Sequence, residues 1–156
     1  MKLEKKIVKI LKKNKIRISF AESCTGGLLS NKITSVSGSS KVFNLGVVCY
    51  SNESKNKVLK IPKKFIKRYG AVSSEVCSLM LKNISKITKT KMAASITGIA
   101  GPKGGSKKKP VGLVYIGIKK GKTVKIKKYI FKKRSRLYIQ KKATNTTLKL
   151  ILALIK

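Results

Sequence analysis

The chain has 156 residues and a net charge of +35, with four arginines among its 39 basic residues and only Glu4, Glu22, Glu53 and Glu75 as acids. Histidine and aspartate are absent, which excludes a Ser-His-Asp triad, a Cys-His pair and a His-ligated metal, and leaves Ser, Thr, Cys, Tyr or Lys to carry any catalysis. An apolar content of 42% suits one folded domain rather than a disordered chain.

The elements follow in order. Leu3, Ile7, Ile10 and Leu11 recur at helical spacing, so the chain opens on a short amphipathic helix. Residues 16–20, "IRISF", alternate and read as a strand that runs into "AESCTGG"; "LLSNKITSV" then reads as a helix and "SVSGSS" as a loop. The apolar, β-rich run 41–50 reads as a strand ending at Tyr50. Ser51 or Asn52 caps the next helix, with Glu53 in its first turn. Pro62 opens a short helix that Gly70 stops. Residues 74–88 place Val76, Leu79, Met80, Ile84 and Ile87 on one helical face. "MAASITGIA" is a strand entering the glycine-rich loop "GIAGPKGGSKKKP", and "VGLVYIGIK" with "TVKIKKYIF" forms a hairpin turned at "KKGK". Residues 137–155 form a last helix, apolar enough to be buried or to pack on another subunit, so a homo-oligomer is expected. This order predicts a single α/β domain with a mixed β-sheet and helices on both faces.

Two loops that follow strands, 22–27 and 97–106, are rich in Gly, Ser and Thr, and in α/β sheets ligands collect beyond the C-terminal ends of strands. In the first, Ser23 precedes a helix whose free N–H groups are expected to hold an oxyanion or a phosphate. The ordinary alternative is a turn and cap built by Ser23, Thr25, Gly26 and Gly27. Cys24 is a second candidate nucleophile, without a histidine partner. In the second loop Thr97, Gly98, Gly101, Gly104 and Gly105 resemble a phosphate cradle, although the GKS or GKT ending of a P-loop is missing. Cys24, Cys49 and Cys77 lack the paired spacing of a zinc site, and their odd number points to a reducing, cytoplasmic setting. No signal segment or bilayer-spanning run is read. The lysines are spread from Lys2 to Lys156 and form no single block. Weak, salt-sensitive, nonspecific binding to nucleic acid is expected of such a surface, and a basic nucleic-acid-binding module is the alternative reading of the chain.

Five segments in order, "AESCTGG", "GVVCYSNESK", "GAVSSEV", "TGIAGPKGG" and "KPVG", resemble the C-terminal domain of the competence-damage-inducible CinA proteins. The resemblance covers about residues 5–155, without the larger N-terminal domain of the full-length family members. Stand-alone members are nicotinamide-nucleotide amidases. The resemblance therefore implies hydrolysis of the carboxamide of nicotinamide mononucleotide to nicotinic acid mononucleotide and ammonia, without a cofactor. It implies Ser23 as nucleophile and roles for Tyr50 and Lys55. Substrate contacts are expected from Glu22, Cys24, Thr25, Gly26, Gly27, Thr97, Gly98, Gly101, Gly104, Gly105 and Arg136. In this scheme neutral Lys55, acting directly or through Tyr50, takes the serine proton, backbone N–H groups from Cys24 to Gly27 hold the oxyanion, and Glu53 turns away from Lys55. The phosphate is expected to meet the 97–106 loop and Arg134 or Arg136. Two departures stand out: "KRSR" where the family usually has Gly-Asp-Arg before the last helix, and Lys103 where a glycine is common. They bear on substrate affinity, and an inactive relative is the third reading.

Overall fold

A computed structural model describes residues 1–132 and 134–156, so Lys133, the first residue of "KRSR", lies outside it. The helices are α1 Leu3–Lys13, α2 Leu28–Thr34, α3 Asn52–Lys57, α4 Lys63–Tyr69, α5 Ser74–Thr88 and α6 Arg136–Ile155. The strands are β1 Ile18–Glu22, β2 Phe43–Val48, β3 Met92–Gly98, β4 Leu113–Lys120 and β5 Thr123–Ile130. The sheet runs β2-β1-β3-β4-β5. β2 and β3 flank β1 in parallel, whereas β4 and β5 add antiparallel pairs, as the expected hairpin requires.

The period-two alternation of a strand sends neighbouring side chains to opposite faces. Ile18 and Phe20, with Met92, Ala94, Ile96, Val114, Ile116 and Ile118, pack under α1, α2 and α6. Ala21 and Ala93 face the other way, onto Ile66 of α4 and Val76, Met80, Leu81 and Ile84 of α5. Helices thus cover both faces, and β1 is buried along its whole length. The mixed sheet between two helical layers agrees with the sequence expectation.

Connectivity decides where a site can form. The chain leaves β1 over one face, through α2, to reach β2. It leaves β2 over the opposite face, through α3, α4 and α5, to reach β3. The loops beyond the C-terminal ends of β1 and β3 diverge, and a crevice opens between them.

Several boundaries differ from those expected. β1 runs two residues past Phe20 because Glu22 still pairs with Val48, which makes Glu22 part of the strand. β2 ends at Val48, two residues before Tyr50. α2 stops at Thr34, short of Val36. Ile87, expected on the buried face of α5, is 49% exposed because no element covers the last turn there. The apolar face of α6 is used within the chain: Ile139, Ala143, Leu148, Ile151 and Leu152 belong to the main core, so its apolarity is accounted for without a second subunit.

Truncation of Ile151, fully buried between α6 and the sheet, removes most of a large side chain's packing from that core. We expect Ile151→Ala to lower the unfolding free energy by about 2–5 kcal/mol, read from urea denaturation with an unchanged m-value.

Candidate active site

The turn after β1 is held from beneath. Glu22 is fully buried, and its carboxylate accepts five hydrogen bonds: from Thr25 Oγ1 at 2.6 Å, Gly27 N at 3.2 Å, Leu29 N at 3.1 Å, Ser30 N at 2.8 Å and Ser30 Oγ at 2.8 Å. It therefore caps α2, the task more often given to a Ser or Asp next to the helix. Gly27 enters the helix with φ +97, a left-handed conformation that side chains resist.

The expected substrate set divides at this turn. Glu22 and Thr25 are consumed by the cap and Gly26 and Gly27 form its turn; none of the four lines the crevice. Gly27 N serves Glu22, and Gly26 N donates to Ser23 O. The N–H groups expected to be free for an oxyanion are thus reduced to those of Cys24 and Thr25, which find no protein acceptor among the described residues.

Above the cap, Ser23 is carried into the crevice with only 7% of its surface exposed. Lys55, on α3, lies beside it with its Nζ 2.9 Å from Ser23 Oγ. The same amine donates to Cys49 O at 2.7 Å and Tyr50 O at 3.4 Å. Lys55 is 1% exposed, and burial pulls its pKa below the ordinary 10.5, while the nearby Cys49 and Cys24 thiols work the other way. Its helix is set by a capping box in which Ser51 and Ser54 exchange bonds. Glu53 turns away and pairs with Lys57 at 2.6 Å on the exposed face. No carboxylate among the described residues pairs with Lys55 to fix its charge.

The geometry makes an uncharged amine chemically legible. As an ammonium, Lys55 donates to Ser23 Oγ and to the two carbonyls; as –NH2, with two hydrogens and one lone pair, it would give the hydrogens to the carbonyls and accept from the Ser23 hydroxyl. Tyr50 contributes its backbone carbonyl to this arrangement. Its side chain is 59% exposed, and its hydroxyl accepts from Arg136 Nη2, so it stands at the mouth of the crevice rather than between Lys55 and Ser23. Arg136 Nη1 donates to Gly101 O at 2.7 Å, tying the start of α6 to the second loop. Arg134 leaves the site: its guanidinium lies 5.0 Å from the Tyr138 ring centroid, as expected of a cation over an aromatic face. Cys24 borders the crevice, but burial pushes its thiol up to about 12, which disqualifies it as a thiolate nucleophile.

The crevice holds about 260 Å³ and is lined by Ser23, Cys24, Tyr50, Lys55, Thr97, Gly98, Gly101, Gly104 and Arg136 from the expected set, together with Ala71, Val72, Ile99, Ala100 and Lys103. Gly98 is there for space: a Cβ would fall 2.7 Å from Val114 Cγ2 and 2.8 Å from Leu113 O. Thr97 Oγ1 donates to Ala71 O at 2.8 Å, which fixes the wall formed by residues 71 and 72. Gly105 instead faces a neighbouring groove with Val111 and Phe131. No group of three or more His, Cys, Asp or Glu able to hold a metal occurs among the described residues, and no helix among them is long and apolar enough to cross a membrane.

Sequence reasoning passes over Gln140, whose Nε2 donates to Cys24 O at 2.9 Å and ties the Ser23 turn to α6. It also assigns nothing to the carbonyls of Cys49 and Tyr50, since a backbone acceptor leaves no trace in residue identity. For Ala71 and Val72 the only signal is the segment "GAVSSEV", which carries resemblance without chemistry.

Comparison with known proteins agrees in scope with this geometry. The model of the CinA C-terminal domain matches residues 1–155. A putative competence-damage inducible protein of Thermoanaerobacter pseudethanolicus is 52% identical over 126 residues, 81% of this chain and 30% of that protein. A CinA-like protein of Prochlorococcus marinus is 51% identical over 144 residues, 91% of this chain and 34% of that protein. The chain thus spans about a third of the length of these curated relatives. The crystal structure of the competence/damage inducible protein CihA from Agrobacterium tumefaciens superposes with a TM-score of 0.95 at 33% identity, covering 99% of this chain and 94% of that one.

Two outcomes test the site's construction. Glu22→Ala strands several buried donors and is expected to cost about 3 kcal/mol or more in urea unfolding. Lys55 gives a pH signature: its pKa is lowered by folding, so between that lowered value and 10.5 the unfolded chain binds more protons. Wild-type stability, measured against Lys55→Met to cancel the other lysines, should therefore rise with pH across that window and level off above it.

Proposed function

The chain belongs to the CinA C-terminal domain family, and from that premise we propose that it is an amidohydrolase in which Ser23 and Lys55 act as nucleophile and base on the carboxamide of nicotinamide mononucleotide. One observation carries the reading. A buried lysine, with no carboxylate paired to it among the described residues, has its amine 2.9 Å from the hydroxyl of a serine that borders a crevice. A structural lysine gains little from such a place, because burial penalises its charge. A base gains what it needs.

The steps follow from the contacts. Neutral Lys55 takes the hydroxyl proton as Ser23 Oγ attacks the carboxamide carbon, giving a tetrahedral adduct. The N–H groups of Cys24 and Thr25 are the donors left for the oxyanion. Collapse of the adduct breaks the C–N bond, and the ammonium of Lys55 returns its proton to the departing nitrogen, which leaves as ammonia. Water, deprotonated by the same amine, then attacks the nicotinoyl ester of Ser23; the C–O bond to Ser23 breaks, the ammonium of Lys55 returns the proton to Ser23 Oγ, and nicotinic acid mononucleotide departs. The carbonyls of Cys49 and Tyr50 hold the amine through both proton transfers. Tyr50 and Arg136 form the rim, and Thr97, Gly98, Gly101 and Gly104 line the substrate side of the crevice.

Ammonia release from nicotinamide mononucleotide is the direct assay. Ser23→Ala is expected to abolish it to background. Lys55→Met should lower kcat by at least about 10³-fold, the scale of a lost general base that also activates the nucleophile. Because the amine must be neutral, wild-type kcat should rise with pH and level off above the lowered pKa of Lys55. Turnover that survives in Ser23→Ala, or a Lys55→Met variant changed only in KM, would overturn the assignment.

A further inference from the structure

Three basic side chains border the crevice: Lys55, Arg136 and Lys103. Two are held in place by protein groups. The amine of Lys55 is held by Ser23 and two carbonyls. The guanidinium of Arg136 is divided between Gly101 O and the Tyr50 hydroxyl. Lys103 is exposed and makes no side-chain hydrogen bond or ion pair among the described residues.

An exposed lysine is the background condition of this surface, so exposure alone distinguishes nothing. Position does. Next to the crevice lies a groove of about 740 Å³ bounded by residues 102–107, Pro110, Val111 and 130–132. Lys103 is the one cation, among the described residues, that lines both spaces. Arg136 borders only the crevice; Lys107 and Lys132 border only the groove. No carboxylate among the described residues lines either space. A ligand whose reacting carbon sits at Ser23 and whose far end points out of the crevice therefore passes Lys103 at the junction, along walls that carry no carboxylate among the described residues.

We propose that Lys103 is a specificity-determining residue that recognises the phosphate end of the substrate, so that the site selects phosphorylated carboxamides over their phosphate-free counterparts. The inference rests on the amidohydrolase reading for the placement of the reacting end. The phosphate pairs with a free ammonium at the junction in a charge-assisted contact; Arg136, held by Gly101 and Tyr50, borders the crevice alone and does not reach the groove. Because the junction opens onto a wide groove, water and salt screen the contact, and its effect is of the order of a single exposed charge-assisted bond.

The test compares nicotinamide mononucleotide with its phosphate-free riboside. Lys103→Gln should raise KM for the nucleotide about tenfold with kcat within about twofold, and leave kcat/KM for the riboside unchanged. Lys103→Arg should restore most of the affinity, and Lys107→Gln, in the groove alone, should change neither constant. Raising the salt concentration should raise the wild-type KM more than that of Lys103→Gln. An unchanged nucleotide KM in Lys103→Gln, or an equal loss for nucleotide and riboside, overturns the inference. Calorimetry on Ser23→Ala proteins separates it from the reading beneath it. Nucleotide binding that weakens tenfold with Lys103→Gln, in a wild type that releases no ammonia, sinks the amidohydrolase reading and keeps the anion site. Turnover with Lys103-independent binding sinks the anion site alone, and absence of nucleotide binding to either protein sinks both.

Discussion

The burial of one amine organises this protein. Lys55 loses water on entering the interior and gains two carbonyl oxygens and a serine hydroxyl in return. That exchange compensates poorly for a charge and well for a neutral –NH2. The surrounding structure respects the distinction. Glu53, two residues away, is drawn outward to Lys57, and Glu22, the carboxylate nearest in sequence to Ser23, is saturated by five donors of its own. A carboxylate turned toward Lys55 would raise its pKa and hold it as the ammonium, with no lone pair to accept a proton.

The cap on α2 is the second part of the same design. Ser23 stands at the first residue beyond β1, where small shifts of the turn would carry its hydroxyl out of reach. Glu22 fixes that turn from below, and Gln140 fixes it from α6 through the Cys24 carbonyl. Positioning therefore comes from groups that lie outside the crevice. Across it, Arg136 joins Tyr50 to Gly101 and so links the loops after β2 and β3. Loops from three neighbouring strands are thus each tied to other elements, and the site inherits the rigidity of the sheet.

The charge of +35 is distributed without regard to this site. Charged side chains largely stay out of the central strands: β1 and β3 contain no lysine or arginine, whereas the edge strand β5 carries Lys125, Lys127 and Lys128, an arrangement that discourages edge-to-edge pairing. The cations that border the crevice differ from the rest by what holds them and where they stand, not by their residue type.

Much of this is legible in the residues themselves. The absence of histidine and aspartate narrows the chemistry at once, because catalytic options depend on which functional groups exist at all. Alternating and helical periodicities place the strands and most helices, since those patterns report which face is buried. The resemblance of five ordered segments points to Ser23, Tyr50 and Lys55. Residue identity does not distinguish a carboxylate that binds substrate from one that caps a helix, so nothing in the sequence shows that Glu22 and Thr25 are bonded to each other and that Glu22 caps α2. Nor does it separate Arg134, spent on Tyr138, from Arg136 at the rim. One lysine among dozens becomes singular only when the fold brings Lys55 to Ser23 across 32 positions of chain. Composition and periodicity are local properties of a chain; burial, the partner of each polar atom, and hence the protonation state of an amine arise only when distant segments meet.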